Sequence, residues 1–287
     1  MRSYADKRRA LRAAMTGSEM VLAPGCSDPV SAKLVERMGL RAIHASGSVF
    51  HRTSGYADAG ILTMDEMLGR IHALTDAVDI PVIADGDTGF GNVVNVVRTI
   101  KEYERAGAAA IHIEDLETPK RPVGQGVAGG VISRKEMVNK IKAAVDARTD
   151  QDFIIIARSD VQGDDREAID RLAECCEAGA DAAFIGYGDA ESMRALKKAV
   201  ARPLVGVLPR DSTAIQYKEW GADVALLPGA MQIAALYAQK KMLEELKRSG
   251  TAAGYFAGLP GIEDVQQFYN RMGHAELEAI QKRFGGG

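Results

Sequence analysis

Cysteine is scarce in this chain, with only Cys26, Cys175 and Cys176 among 287 residues. An odd count with no Cys-x-x-Cys pair and no Cys/His spacing argues against a disulfide scaffold or a zinc site, and fits a reducing compartment. Cys175 and Cys176 fall in the helical stretch EAIDRLAECCEAGAD, where they read as small buried side chains. No apolar run approaches the ~20 residues that a bilayer-spanning helix needs. A basic block is missing too: 36 Lys and Arg and 39 Asp and Glu are dispersed, for a net charge of -3. That excludes a phosphate-backbone footprint, so no nucleic-acid partner is expected. The basic start MRSYADKRRALRAAM runs into Thr16-Gly17-Ser18-Glu19 instead of an apolar segment, which is not a signal-peptide pattern. A cytoplasmic protein without a membrane partner is the expectation.

What the chain does have is a recurring unit. Eight short apolar runs are separated by amphipathic stretches: Met20 to Ala23, Ala42 to Ala45, Val82 to Ala84, Ala110 to Ile113, Phe153 to Ala157, Ala182 to Ile185, Leu204 to Val207 and Val224 to Leu227. This is the pattern of βα units around a parallel sheet. Four of the runs are entered through a helix-ending glycine, at Gly39, Gly107, Gly179 and Gly221, and two through Pro81 and Pro203. No G-x-G-x-x-G follows the first run, which carries Pro24-Gly25-Cys26-Ser27 instead. The expected fold is therefore an α/β (β/α)8 TIM barrel, one domain over 1–287 with 250–287 as a C-terminal helical extension. Gln232 to Lys247 and Ile262 to Phe284 read as helices, the second surplus to the eight units.

Barrel chemistry sits where the strands end, and these runs end in polar residues. The second ends in Ser46-Gly47-Ser48, the third in Asp85-Gly86-Asp87-Thr88-Gly89-Phe90-Gly91, the fourth in Glu114-Asp115 and the fifth in Arg158-Ser159-Asp160. Strand alternation puts Asp85 with Asp87 and His112 with Glu114 on shared faces. Converging carboxylates need a cation, and all-oxygen ligands suit Mg²⁺, with Mn²⁺ as the alternative, better than zinc. Ser46, Gly47 and Ser48 offer hydroxyl and amide donors to a substrate carboxylate, and Arg158 can clamp one bidentately. His112 is either a core histidine or a catalytic one. The stretch Leu116 to Gly130, 15 residues with four glycines and two prolines, reads as a lid containing Lys120, Arg121, Gly124 and Gly126.

These motifs resemble those of the isocitrate lyase and phosphoenolpyruvate mutase superfamily, from about Gly25 through the last strand. The resemblance rests on Ser46-Gly47-Ser48, on Asp85-Gly86-Asp87-x-Gly-Phe-Gly, on His112-Ile-Glu-Asp115 and on Ala157-Arg-Ser-Asp160. It implies Asp85 as nearest Mg²⁺ ligand, with Asp58, Asp87 and Glu114 holding the ion directly or through water, and Ser46, Gly47 and Arg158 as substrate contacts. It also implies a homodimer or homotetramer in which the final helix is exchanged between subunits.

Two departures bear on the reaction. Lyases of this superfamily carry a K-(K/R)-C-G-H lid whose cysteine is the acid, and here the stretch is Lys120-Arg121-Pro122-Val123-Gly124. The sixth run ends Phe184-Ile185-Gly186, where relatives place a glutamate or a histidine, and the mutase's asparagine-bearing gate is also absent. Retro-aldol cleavage needs a base and an acid, whereas decarboxylating a 3-carboxy-2-oxo acid such as oxaloacetate needs mainly an electron sink. The expected function is a Mg²⁺-dependent carbon-carbon lyase on a small 2-oxo or 2-hydroxy di-acid, foremost a decarboxylase. The alternatives are a retro-aldol lyase drawing its acid from His51, Arg52 or Tyr56, a phosphonopyruvate hydrolase, and a binding barrel without catalysis. Arg210 is either a reader of the substrate's distal carboxylate or a surface residue.

Overall fold

The computed structural model describes residues 2–118, 120, 122–123, 126–127, 130–186 and 188–285. It divides into two compact units, Met1–Gln232 and Ile233–Gly287. The first unit contains all eight expected strands: β1 (Val21–Pro24), β2 (Ile43–Ala45), β3 (Val82–Asp85), β4 (Ala110–Glu114), β7 (Ile154–Ser159), β8 (Ala182–Ile185), β9 (Leu204–Val207) and β10 (Val224–Leu227). A two-stranded antiparallel hairpin, β5 (Pro122–Val123) with β6 (Gly126–Val127), lies between β4 and β7. The eight are parallel neighbours in the order β1-β10-β9-β8-β7-β4-β3-β2. A parallel bridge from Gly25 to His44 brings β1 back beside β2, giving a nearly closed (β/α)8 barrel.

Helix-ending glycines do the expected work. Gly39, Gly107, Gly179 and Gly221 have φ of 79°, 88°, 110° and 106°, a left-handed conformation that stops each helix and turns the chain into the next strand.

Strand alternation sorts the core into two shells. Ile155 and Ala157 of β7 face the surrounding helices, while Ile154 and Ile156 join Val21, Ile83, Ala110, Phe184, Val205 and Val224 inside the barrel. The same phase carries Asp85, His112, Glu114 and Arg158 to the inward face. Leu11 and Met15, from the helix Tyr4–Met15, belong to this inner cluster. The basic N-terminal segment is thus a plug. Lys7 Nζ donates to the carbonyls of Thr75 and Val78 at 2.7 and 2.6 Å, and Arg8 Nε donates to the Ala108 carbonyl at 3.1 Å, just ahead of β4.

In the second unit and the helix leading into it, the helices are Ala230–Ser249, Ala253–Ala257, Ile262–Asn270 and His274–Phe284. None of these four helices has a buried residue. No helix among the described residues is long and apolar enough to cross a membrane.

Candidate active site

The strand register assembles the site. β3 pairs Asp85 with His112 of β4, β4 pairs Glu114 with Arg158 of β7, and β7 pairs Arg158 with Phe184 of β8. The third strand then runs into a tight loop in which Asp87 and Phe90 adopt φ of 48° and 58°, a left-handed conformation costly for side-chain-bearing residues. Tyr103 Oη donates to the Asp85 carbonyl at 3.0 Å and Lys140 Nζ to the Thr88 carbonyl at 3.0 Å, which hold the loop in that shape.

Ligand-capable oxygens of Asp85, Asp87 and Glu114 lie within 4.8 Å of one another, and all three residues are buried. Asp85 Oδ2 accepts from the Gly47 amide and Oδ1 from the Asp87 amide, each at 3.0 Å. Burial disfavours its charge, but the Lys120 and Arg158 cations outweigh that and hold the carboxyl well below the usual range. Asp87 goes the other way. Burial, with Asp85 and Glu114 adding to it against the pull of Lys120, pushes its pKa up to about 6.

A cation already stands in this cluster. Lys120 Nζ is 2.6 Å from Glu114 Oε1 and contacts Asp87 Oδ1, with its side chain 8% exposed. Burial works against its charge, yet Glu114, Asp87 and Asp85 hold its pKa above lysine's ordinary value. Asp87 Oδ2 is buried with no hydrogen-bond partner among the described residues. Three oxygen donors around a seat filled by an ammonium, with one acceptor to spare, fit a hard divalent ion such as Mg²⁺.

Arg158 is fixed on several sides. Asp160 Oδ1 accepts from its Nε at 3.2 Å and Nη2 at 3.0 Å, Glu114 Oε2 lies 3.3 Å from Nη1, and the guanidinium sits 4.9 Å from the Phe184 ring centroid. Its donors converge beside the carboxylate cluster, as a clamp for a carboxylate requires.

The remaining expected residues fall in different places. Ser46 and Ser48 hydroxyls bond each other at 3.1 Å, and the Gly47 amide is spent on Asp85 instead of being offered to a ligand. Asp58 stands outside the cluster, 3.9 Å from His51 Nδ1. His51 is not a spare acid. Its Nε2 accepts from the Leu62 amide at 3.1 Å, so Nδ1 carries the proton and donates to the Gly47 carbonyl at 2.8 Å. Arg52, Tyr56 and Arg210 are exposed. Of the lid residues, Arg121 and Gly124 lie outside the described residues, Gly126 begins β6, and Lys120 is the cation just described. His112 is fully buried, its Nε2 3.1 Å from His44 Nε2 and its Nδ1 3.5 Å from Asp85 Oδ1. Burial pushes His112 down to about 3 and His44 to about 4, so both are neutral rings. His44 was not singled out from sequence, because one histidine in an apolar run carries no signal until its strand partner is known.

The phosphoenolpyruvate phosphomutase family model matches residues 11–247. The chain belongs to this family. A 2,3-dimethylmalate lyase of Eubacterium barkeri is 36% identical, covering 96% of this chain and 98% of that protein. A 2-methylisocitrate lyase of Aeropyrum pernix is 35% identical over 93% of this chain and 88% of its own. Among solved structures, phosphoenolpyruvate phosphomutase from Streptomyces platensis subsp. rosaceus superimposes with TM-score 0.88 at 30% identity, covering 97% of this chain and 99% of that one. Phosphonopyruvate hydrolase in complex with oxalate and Mg²⁺ does so with TM-score 0.86 at 32% identity, covering 98% and 99%. The protein is thus an enzyme of the phosphoenolpyruvate mutase/isocitrate lyase superfamily, whose relatives in sequence are lyases.

Asp160 is expected to make the stability of this superfamily member depend on pH. Burial, opposed by Arg158 and reinforced by Glu114 and Asp115, raises its carboxyl from 3.8 to about 7. Between those values the folded chain holds a proton that the unfolded chain has lost, so stability falls as pH rises through the window. The size is of order a few kcal/mol. Thermal melts of metal-free protein between pH 5.5 and 8 are expected to show the fall, and Asp160→Asn to flatten part of it. Parallel declines in the two proteins would refute the assignment.

Proposed function

We propose that this enzyme is a Mg²⁺-dependent carbon-carbon lyase acting on a small 2-oxo or 2-hydroxy di-acid, foremost by decarboxylating an oxaloacetate-like substrate. The observation that carries the reading is the buried Asp85/Asp87/Glu114 cluster, charged enough to draw in Lys120 and adjoined by Arg158. Asp85, Asp87 and Glu114 would hold the ion, with Asp58 acting through water and Mn²⁺ as a substitute. Once bound, the ion supplies Lewis-acid stabilisation of negative charge on the substrate's 2-oxo oxygen. Arg158 holds a substrate carboxylate, and the Ser46 and Ser48 hydroxyls supply rotatable donors at the same rim. His112 stays neutral and packs beneath Asp85.

The preference for decarboxylation follows from proton supply. His51 has both ring nitrogens committed, and the chain has no lid cysteine. Loss of CO₂ from a 3-carboxy-2-oxo acid needs no proton delivered in the bond-breaking step, whereas retro-aldol cleavage needs both removal and delivery. One observation favours the second reading, a retro-aldol lyase: the 2,3-dimethylmalate lyase similar to this chain along 96% of its length.

Purified protein with Mg²⁺ separates the two. Oxaloacetate should yield pyruvate and CO₂, and 2,3-dimethylmalate would yield pyruvate and propionate without CO₂. Turnover of the second substrate alone reverses the ranking. Turnover of neither, or phosphate release from phosphonopyruvate, ends the proposal.

The active form proposed is a homodimer or homotetramer in the cytoplasm, with the segment after the barrel exchanged between subunits.

A further inference from the structure

We infer that Asp160 is a positioning residue for Arg158, and that Gly186 is glycine because the Asp160 carboxyl occupies the space a side chain there would need. The inference rests on the reading of Arg158 as the carboxylate clamp and adds what aims it.

Asp160 follows β7 and is 3% exposed. Its Oδ1 accepts from Nε and Nη2 of Arg158, tying down one edge of the guanidinium. N–H bonds on both Nη atoms remain at the free edge, where Glu114 Oε2 lies 3.3 Å from Nη1, and an anion bound there would meet them. A guanidinium held this way loses little freedom when it binds, so its contribution goes into affinity.

Asp160 is anchored in turn. Its backbone amide donates to Asp115 Oδ1 at 2.8 Å, while Asp115 Oδ2 accepts from Ser159 Oγ at 2.8 Å and lies 3.5 Å from Arg171 Nη1. The charged groups around the carboxyl are Arg158 from β7 and Glu114 and Asp115 from the end of β4. A carboxyl held towards its neutral form orients the guanidinium through an accepting oxygen without cancelling its charge.

Gly186 closes the other side. Its amide donates to the Ser159 carbonyl at 2.8 Å, which fixes its backbone against β7. A Cβ built there would lie 1.9 Å from Asp160 Oδ1 and 3.0 Å from its Cγ. Any side chain at 186 therefore displaces a carboxyl that two hydrogen bonds hold in place. The end of β8 and the aim of Arg158 are one feature.

The test uses the full chain, oxalate as probe and saturating Mg²⁺, with dissociation constants from calorimetry and a thermal melt of each variant. Asp160→Ala is expected to weaken oxalate binding by about 10-fold, the usual cost of losing a partner that orients a ligand group. Asp160→Asn should lose less, because its amide oxygen still accepts from Arg158. Gly186→Ala should match Asp160→Ala in the wild-type background and add little in the Asp160→Ala background, where Oδ1 and Cγ are gone and only the Ser159 carbonyl, 3.2 Å from that Cβ, remains. Mg²⁺ binding without oxalate should stay unchanged in all of them, which a collapsed site would not allow. If Asp160→Ala does not fold, the comparison of Asp160→Asn with Gly186→Ala carries the test. Weakened binding in Arg158→Lys with wild-type binding in the Asp160 variants overturns the inference alone, as do Asp160→Ala and Gly186→Ala losses that multiply. Wild-type binding by Arg158→Lys overturns the clamp and the inference with it.

Discussion

Asp85→Asn is expected to lower kcat by about 10³-fold or more and to abolish Mg²⁺ binding measured by calorimetry. Both Asp85 oxygens accept a backbone N–H, from Gly47 and from Asp87. An asparagine has one acceptor for two donors, so one buried amide loses its partner, at about 1–3 kcal/mol of stability. The replacement also removes the carboxylate held most firmly in its charged form, on which Lys120 and Arg158 both act. Lys120 remains on Asp87 and Glu114, so the barrel should persist, with a lower melting temperature and native far-UV circular dichroism. Chelation of wild-type enzyme should give the same loss of turnover, restored by Mg²⁺. Retention of a tenth of the activity in Asp85→Asn would remove this residue from the centre of the mechanism.

The second large effect concerns assembly. The full chain, 30.7 kDa, is expected to sediment as a dimer or tetramer, and Leu277→Glu with Ile280→Glu to sediment as a monomer. Leu277, Ile280 and Phe284 follow one another at helical spacing on His274–Phe284 and are 64%, 56% and 70% exposed. Val265 and Tyr269 on the preceding helix are 53% and 65% exposed. Contiguous apolar surface of this kind marks an interface. Covering one such side chain is worth about 1.5–3 kcal/mol, counted twice across a two-fold contact, so two buried glutamates should break it. Analytical ultracentrifugation over a range of concentrations decides the matter. A wild-type monomer would dispose of the exchanged segment.

Most of the barrel was legible from local pattern. Each strand run has an apolar stretch, a turn signal and a helix before it, and Gly39, Gly107, Gly179 and Gly221 gave the punctuation because a left-handed residue is a backbone requirement that sequence displays directly. Asp85, Glu114 and Arg158 were legible for a related reason, whereas Asp87 lies past β3 at φ of 48° and only the fold turns it towards them. Strand ends are readable, and alternation tells which of them face inward.

Other features were hidden because they depend on neighbours distant in the chain. The N-terminal basic residues looked like charge at a terminus until the carbonyls that Lys7 and Arg8 satisfy, at and just past the ends of the helices Met64–Ala77 and Val93–Arg105, were in place. His51 looked available until Leu62 and Gly47 claimed both of its nitrogens. His44 and His112 are 68 positions apart, and only the adjacency of three strands makes them a pair beneath Asp85.

That Asp85, Glu114 and Arg158 stand at strand ends, with Asp87 two residues past the first of them, was determined by the sequence alone, because residue type and strand phase are local properties. What only the tertiary structure decided is which charges share the buried space. Lys120 stands in the carboxylate cluster, and Asp160 takes the room that Gly186 leaves. Electrostatic energy depends on distance through a folded, low-dielectric interior, and that distance exists only once the strands are side by side.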